Sequence, residues 1–261
     1  MHESRFAFLD HPGPLAFAHR GGALEAAENT WTSFRHARDL GYSYIETDVH
    51  STSDGVVVTI HDDDLSRTTE RRGLVRETTW TELSAVRMHG SDEPIPRLDD
   101  VLAAWPDLRW NIDAKHDSVV GPLLETIHRS GAVDRVCVTS FSDRRLARIR
   151  RALGPGLCTG MGPAASTALR LASVLPERAG RAVGDWLSTF GAAQVPMRQG
   201  RVPVVDRRLV DTAHRLGVQV HVWTVDDSAS MEKLLDLGVD GIMTDRPSAL
   251  KDVLVRRGAW A

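Results

Sequence analysis

Seven residues carry side chains suited to a charged phosphorus centre: His19, Arg20, Glu46, Asp48, His61, Asp113 and Lys115. Strand side chains repeat every two residues, so Glu46 and Asp48 share a face in IETDV, and Asp113 and Lys115 share one in NIDAKH. On neighbouring strands those faces bring three carboxylates together, which is costly unless a cation neutralises them. Oxygen-only donors favour Mg2+ or Ca2+ over zinc, whose sites draw on His or Cys. The competing arrangement pairs each acid with an arginine. The acids cluster at strand ends rather than on helix surfaces, which favours the metal. A divalent ion, two cations and two imidazoles suit a phosphodiester. The Arg20 fork and the Lys115 point charge neutralise phosphoryl oxygens, one imidazole assists attack and the other protonates the leaving alcohol. Lys115 has a second option, a salt bridge to Asp113, and the two are compatible before substrate binds. A lone histidine is more often structural, and His50, His89, His116 and His221 are read that way.

These residues need strands to present them. Short β-rich runs alternate with longer amphipathic ones, the pattern of parallel βα units. The expected strands are Leu15–His19, Tyr44–Val49, Leu108–Ala114, Arg135–Thr139, Leu157–Met161, Ala192–Val195, Gln219–Thr224 and Gly241–Thr244. Helices are expected over Trp31–Leu40, Val119–Ser130, Asp143–Leu153, Arg207–Leu216, Ala229–Leu237 and Ser248–Arg256. Ser142, Asp206, Asp226 or Asp227, and Pro247 stand at helix starts, and Gly41, Gly131, Gly154, Gly217 and Gly238 at helix ends. This predicts an α/β fold, a closed (β/α)8 barrel, whose chemistry belongs at the carboxyl ends of the strands.

Val56–Ile60 breaks the alternation, since only a turn at Ser53–Asp54–Gly55 separates it from the second strand. A two-residue Asp54–Gly55 loop would set Ser53 opposite Val56, Thr52 opposite Val57 and Asp48 opposite His61, returning an imidazole to the acid cluster. Residues 63–96 are polar and irregular, which predicts a functional loop or a small subdomain. Residues 164–191 exceed one barrel helix and read as one or two helices interrupted by Pro176 and Gly180.

Composition narrows the function. The 261 residues carry 32 basic and 35 acidic side chains, a net charge of −3, which argues against a nucleic-acid binder or a polybasic membrane clamp. Lysine is scarce against the many arginines, so Lys115 in an apolar segment stands out. The two cysteines, Cys137 and Cys158, lie in apolar stretches and exclude a disulfide scaffold or a cysteine zinc cluster. No basic-then-apolar leader and no long uncharged apolar run is visible, so the expectation is one cytoplasmic domain over 1–261, without a membrane anchor.

In combination the motifs AHRGG (18–22), EAAENT (25–30), IETDVHSTSDGVVVTIHDDDLSRTT (45–69), IPRLDDVL (95–102), NIDAKH (111–116), VHVWTVDD (220–227) and GVDGIMTDRP (238–247) resemble the glycerophosphodiester phosphodiesterase family. The resemblance covers nearly the whole chain. It implies a (β/α)8 barrel with a small insertion after the HD motif, which 63–96 matches. It also implies metal-dependent hydrolysis of small-molecule glycerophosphodiesters to glycerol 3-phosphate and an alcohol. His19 and His61 match the catalytic pair, Glu46 and Asp48 two metal ligands, and Arg20 and Lys115 the phosphate-binding and charge-stabilising positions. The family's third ligand is commonly the glutamate of E-x-K, whereas here Asp113 opens D-x-K, one methylene shorter. Glu28 either faces the site or serves the helix start that Thr30 caps. Trp223, at the seventh strand's end, either packs against a glycerol moiety or lines the rim, and its place above a polar pocket favours the first. The alternative activity is that of a lysophospholipase D or sphingomyelinase D-like barrel acting on lipid substrates. A non-catalytic phosphate-binding barrel is disfavoured, because no histidine or carboxylate of the set is missing.

Overall fold

Strand β1 (Leu15–His19) is four apolar residues closed by a histidine, and β2 (Tyr44–Ser51) is buried along its whole length. Burial on both faces forces the polar members of β2 to aim into a shared interior. The computed structural model describes residues 5–175 and 183–260. After β3 (Val57–Thr59), β4 (Arg109–Ala114), β5 (Val136–Thr139) and β6 (Cys158–Thr159) come β7 (Ala192–Pro196), β8 (Arg198–Gln199), β9 (Val202–Pro203), β10 (Gln219–Trp223) and β11 (Gly241–Thr244). The parallel path runs β6-β5-β4-β2-β1-β11-β10-β7, while β3 pairs antiparallel with β2 and β8 with β9. A parallel bridge from Gly160 to Ala192 and a bond from Gly191 N to Thr159 O (3.0 Å) join β6 to β7, so the barrel closes as expected.

The sixth strand is shorter than the expected Leu157–Met161, because past Thr159 the contact with β7 reduces to that bridge. A Cβ on Gly160 would stand 2.8 Å from Thr139 Cγ2, so glycine is what lets β5 and β6 lie this close. On the far side of the barrel a Cβ on Gly241 would strike the His221 ring at 2.8 Å. The missing side chain makes room for that imidazole inside the barrel.

At the amino ends of the strands, Phe6, Phe8 and Leu9 pack on Leu15, Phe17, Tyr44, Cys137, Cys158 and Met243. The Tyr44 hydroxyl donates to Phe8 O (2.8 Å). This cluster stoppers the barrel floor. Both cysteines are free and buried in it. Helices α1 (Trp31–Asp39), α3 (Leu98–Ala104), α4 (Val120–Arg129), α5 (Asp143–Leu153) and α6 (Pro163–Ala172), with Arg207–Arg215, Ser228–Leu237 and Pro247–Arg256, surround the strands. Ser142, Asp206 and Asp227 accept bonds from the first-turn amides as expected of N-caps, and Pro247 opens its helix. Beyond α6, residues 183–187 are helical; Pro176 and Gly180 lie outside the described residues. Among the described residues no helix is long and apolar enough to cross a membrane.

The hairpin register differs from the expected one. Ser51 pairs with Val57, His50 with Val58 and Val49 with Thr59, which sets Asp48 opposite Ile60 rather than His61. The cause lies in the turn. Thr52 Oγ1 donates to Asp54 Oδ1 (2.6 Å) and accepts from Val56 N (2.8 Å), while Asp54 Oδ1 also accepts from Trp80 N (2.9 Å). With Gly55 at φ +85°, the loop takes three residues and the ladder slips by one. Residues 63–96 form the small subdomain that their length suggests. It includes α2 (Trp80–Leu83) and its own core of Leu65, Val75, Leu83, Val86, Met88 and Ile95, continued by Val58 and Ile60 of the hairpin.

Candidate active site

Register brings the polar strand ends into tiers. His19 stands beside Glu46, Glu46 beside Asn111, and Asp48 beside Asp113. These residues, with Arg20, His61, Lys115 and Trp223, line a cleft of about 590 Å3 at the carboxyl ends of the strands. Eight of the nine residues singled out in the sequence therefore share one cavity. Glu28 is not among its lining residues.

The sequence ENT does three jobs at once. Glu28 receives Arg20 Nη1 on both oxygens at 3.3 Å. Buried Asn29, at φ +55°, donates to Asp48 Oδ2 (3.1 Å) and accepts from Thr47 Oγ1 (2.7 Å). Thr30 caps α1 in a reciprocal box with Ser33. Neither option holds for Glu28 itself: it stands behind Arg20 and outside the cleft lining, and the helix start is served by Thr30 with Ser33. Arg20 Nε also lies 3.1 Å from Asp48 Oδ2.

Each imidazole has its own carboxylate. His19 Nδ1 is 2.7 Å from Asp245 Oδ1, at the end of β11, and its Nε2 is 3.7 Å from Glu46. Burial works against protonating His19, yet Glu46 and Asp245 outweigh it and raise its pKa. His61 Nδ1 is bonded to Asp62 Oδ1 (2.5 Å), and its carbonyl accepts from His50 Nε2 (3.1 Å). His61 reaches the cleft despite the slipped ladder because β3 ends at Thr59, and the chain leaves the sheet before it. His50 and His221 point the same way along their strands as Asp48 and Trp223, two residues on, so strand phase does not set them apart. Their partners do. His50 supports the His61 backbone, and His221 lies buried among Phe17, Gln194 and Gln219.

The three carboxylates gather more loosely than expected. Lys115 Nζ stands 2.7 Å from both Asp48 Oδ1 and Asp113 Oδ2. Among the described residues, no three His, Cys, Asp or Glu side chains enclose a metal position. The Lys115–Asp113 bridge anticipated from sequence is formed, and Asp48 joins it. Burial opposes charge on Asp48, but Lys115 and Arg20 hold its carboxyl below the usual range. Glu46 is displaced upwards, first by burial and then by Asp48. Asp113 Oδ1 is buried with no hydrogen-bond partner. An orphaned carboxylate oxygen beside two further hard-oxygen donors fits a Mg2+- or Ca2+-type cation.

Away from the acids the cleft wall is largely apolar, with Phe141, Met161, Leu171, Val195, Val204 and Trp223, although Arg170, Gln194 and Gln199 also line it. Phe141, 67% exposed, meets Trp223 edge-on with centroids 5.8 Å apart. Sequence reasoning passed over Asp245, Asp62, Asn29 and Phe141. Asp245, in TDRP, and Phe141, just past β5, follow strand ends, the same signal that marked the other site residues. Asp62 and Asn29 sit inside the HD and ENT motifs.

Residues 19–249 match the glycerophosphoryl diester phosphodiesterase family. The chain is 40% identical over 254 residues to a probable glycerophosphodiester phosphodiesterase 2 of Mycobacterium tuberculosis, covering 97% of this chain and 95% of that one. It is 30% identical to a mouse lysophospholipase D, covering 91% and 85%. A phosphodiesterase structure from Oleispira antarctica, in complex with its product sn-glycerol-3-phosphate, superposes with TM-score 0.77 at 24% identity, covering 97% of this chain and all of that one.

Proposed function

The chain belongs to the glycerophosphoryl diester phosphodiesterase family and is a phosphoric diester hydrolase, and from that premise we propose that His19 and His61 are its acid–base pair in cleaving glycerophosphodiesters to glycerol 3-phosphate and an alcohol. The observation that carries this reading is the pair of separate His–Asp couples opening on one cleft beside Arg20 and Lys115. A carboxylate at Nδ1 keeps a proton there and leaves Nε2 for the substrate. One imidazole takes the proton of the attacking oxygen as it bonds to phosphorus, either of water directly or of the substrate's own 2-hydroxyl, in which case water then opens the cyclic phosphate to glycerol 3-phosphate. The other, protonated, gives its proton to the alcohol oxygen as the P–O bond breaks. The Arg20 fork and the Lys115 ammonium neutralise the phosphoryl oxygens. Glu46, Asp48 and Asp113 are the residues that would hold a divalent cation, Mg2+ or Ca2+, whose charge would stabilise the same oxygens.

The apolar wall favours a second reading, in which part of the substrate is a lipid chain, as in a lysophospholipase D. Hydrolysis of glycerophosphocholine and lysophosphatidylcholine, assayed side by side, separates the two. For the acid–base pair, His19→Ala and His61→Ala should each remove most activity, and the double variant little more. Retention of most activity in both single variants would overturn the pairing.

A further inference from the structure

Arg67 lies outside the cleft and is half exposed, yet it is the hub of the charges behind it. Its Nη1 and Nη2 donate to Glu28 Oε2 and Oε1 at 3.1 and 2.7 Å, a two-pronged bond, and its Nε donates to Asp62 Oδ2. Glu28 also holds Arg20, and Asp62 holds His61. An unbroken line of ion pairs therefore runs Asp48–Arg20–Glu28–Arg67–Asp62–His61. Both carboxylates raise the pKa of Arg67.

The backbone that carries Arg67 is anchored independently of these charges. Leu65 is buried in the insertion's core and its amide donates to Gly73 O (2.9 Å). Thr69 Oγ1 donates to Leu65 O (2.7 Å), and Thr68 O accepts from His89 N (2.8 Å). The subdomain thus holds the guanidinium out over the rim on a rigid turn.

We propose that Arg67 is a positioning residue. Its planar fork fixes Glu28, and through it the Arg20 guanidinium, while its Nε fixes Asp62, and through it the orientation and tautomer of His61. One side chain from the insertion thereby sets the phosphate-binding cation and one member of the acid–base pair together. Lysine supplies the charge but not three donors in a plane, so it cannot hold both carboxylates in this geometry. The inference rests on the roles proposed above for Arg20 and His61, and its test includes a readout that needs no turnover.

Arg67→Met and Arg67→Lys are compared with wild type by steady-state kinetics, thermal unfolding and long-range 15N–1H spectra of the histidine rings. The expected result for Arg67→Met is a kcat roughly 10–100-fold lower, as for other residues that orient a reacting group, with a raised KM from the loosened Arg20. The unfolding midpoint should barely move. Arg67→Lys should recover little of the loss. In wild type the neutral His61 ring should carry its proton on Nδ1, and in Arg67→Met the two tautomers should mix. Kinetics within twofold of wild type in Arg67→Met, full rescue by lysine, or an unaltered His61 tautomer would each overturn the proposal. A wild-type enzyme inactive on every glycerophosphodiester would instead strike the reading of the reaction, and the ring spectra would still decide for or against the clamp.

Discussion

His19 and Asp245 meet at 2.7 Å although 226 residues separate them in the chain. Barrel closure makes the contact, because β1 and β11 pair with Ala18 beside Thr244, and each strand then delivers its next residue to the mouth. Asp245→Asn removes the charge that holds His19 Nδ1–H while keeping the shape. The expected loss is about 10²-fold in kcat with the fold intact, read by kinetics and circular dichroism. Unchanged turnover would remove Asp245 from the mechanism.

Lys115 separates Asp48 from Asp113, and its loss leaves two buried carboxylates without it. In chelator, Lys115→Met should be destabilised by about 3–5 kcal/mol, the usual result of breaking a buried pair. Mg2+ or Ca2+ should then raise its unfolding temperature more than it raises that of wild type. Equal shifts in the two proteins would count against a cation at this site. Turnover should fall more than KM changes, on the proposal that the ammonium acts on developing charge.

Removal of divalent ions should abolish activity, with Mg2+ or Ca2+ restoring it. Glu46→Gln should raise the cation concentration needed for half-maximal activity without unfolding the barrel. Full activity after exhaustive stripping in excess chelator would end the metal reading.

Arg20→Lys keeps the charge and loses the fork. The expected cost is roughly 1–3 kcal/mol of transition-state stabilisation, measured as the drop in kcat/KM. An unchanged kcat/KM would mean that charge alone suffices.

Stability should fall in mild acid because of His221. Burial pushes this imidazole down to about 4 from 6.5, so between those values the unfolded chain holds a proton that the folded one refuses. Stability from this source is complete above pH 6.5 and is lost as the pH falls towards 4, in all on the order of 3 kcal/mol. Denaturant unfolding at pH 8 and pH 5 should show His221→Gln escaping about 2 kcal/mol of the wild-type loss. Parallel losses in the two proteins would refute this source.

The barrel and most of the site were legible because both rest on local rules. Alternation marks the strands, capping residues mark the helices, and reactive groups at strand ends mark the mouth. What escaped depends on pairings made across the fold. Thr52, Asp54 and Trp80 together decide the hairpin register, and only the folded insertion brings Trp80 to the turn. Arg67 reads as one more surface arginine until the insertion's core fixes the turn that carries it. Lys115 was visible as a partner for Asp113, but its equal approach to Asp48 follows from the β2–β4 register.

The stoppered floor, where Phe8, Phe17 and Tyr44 fill the amino end of the barrel, leaves the cleft to open at the carboxyl ends of the strands. What enters at that mouth cannot leave through the floor. On the roles proposed for Arg20 and Lys115, the phosphate-bearing product would leave from among those two cations by the same mouth as the alcohol. Product and incoming substrate then meet at one mouth, and the expected consequence is competitive inhibition by product.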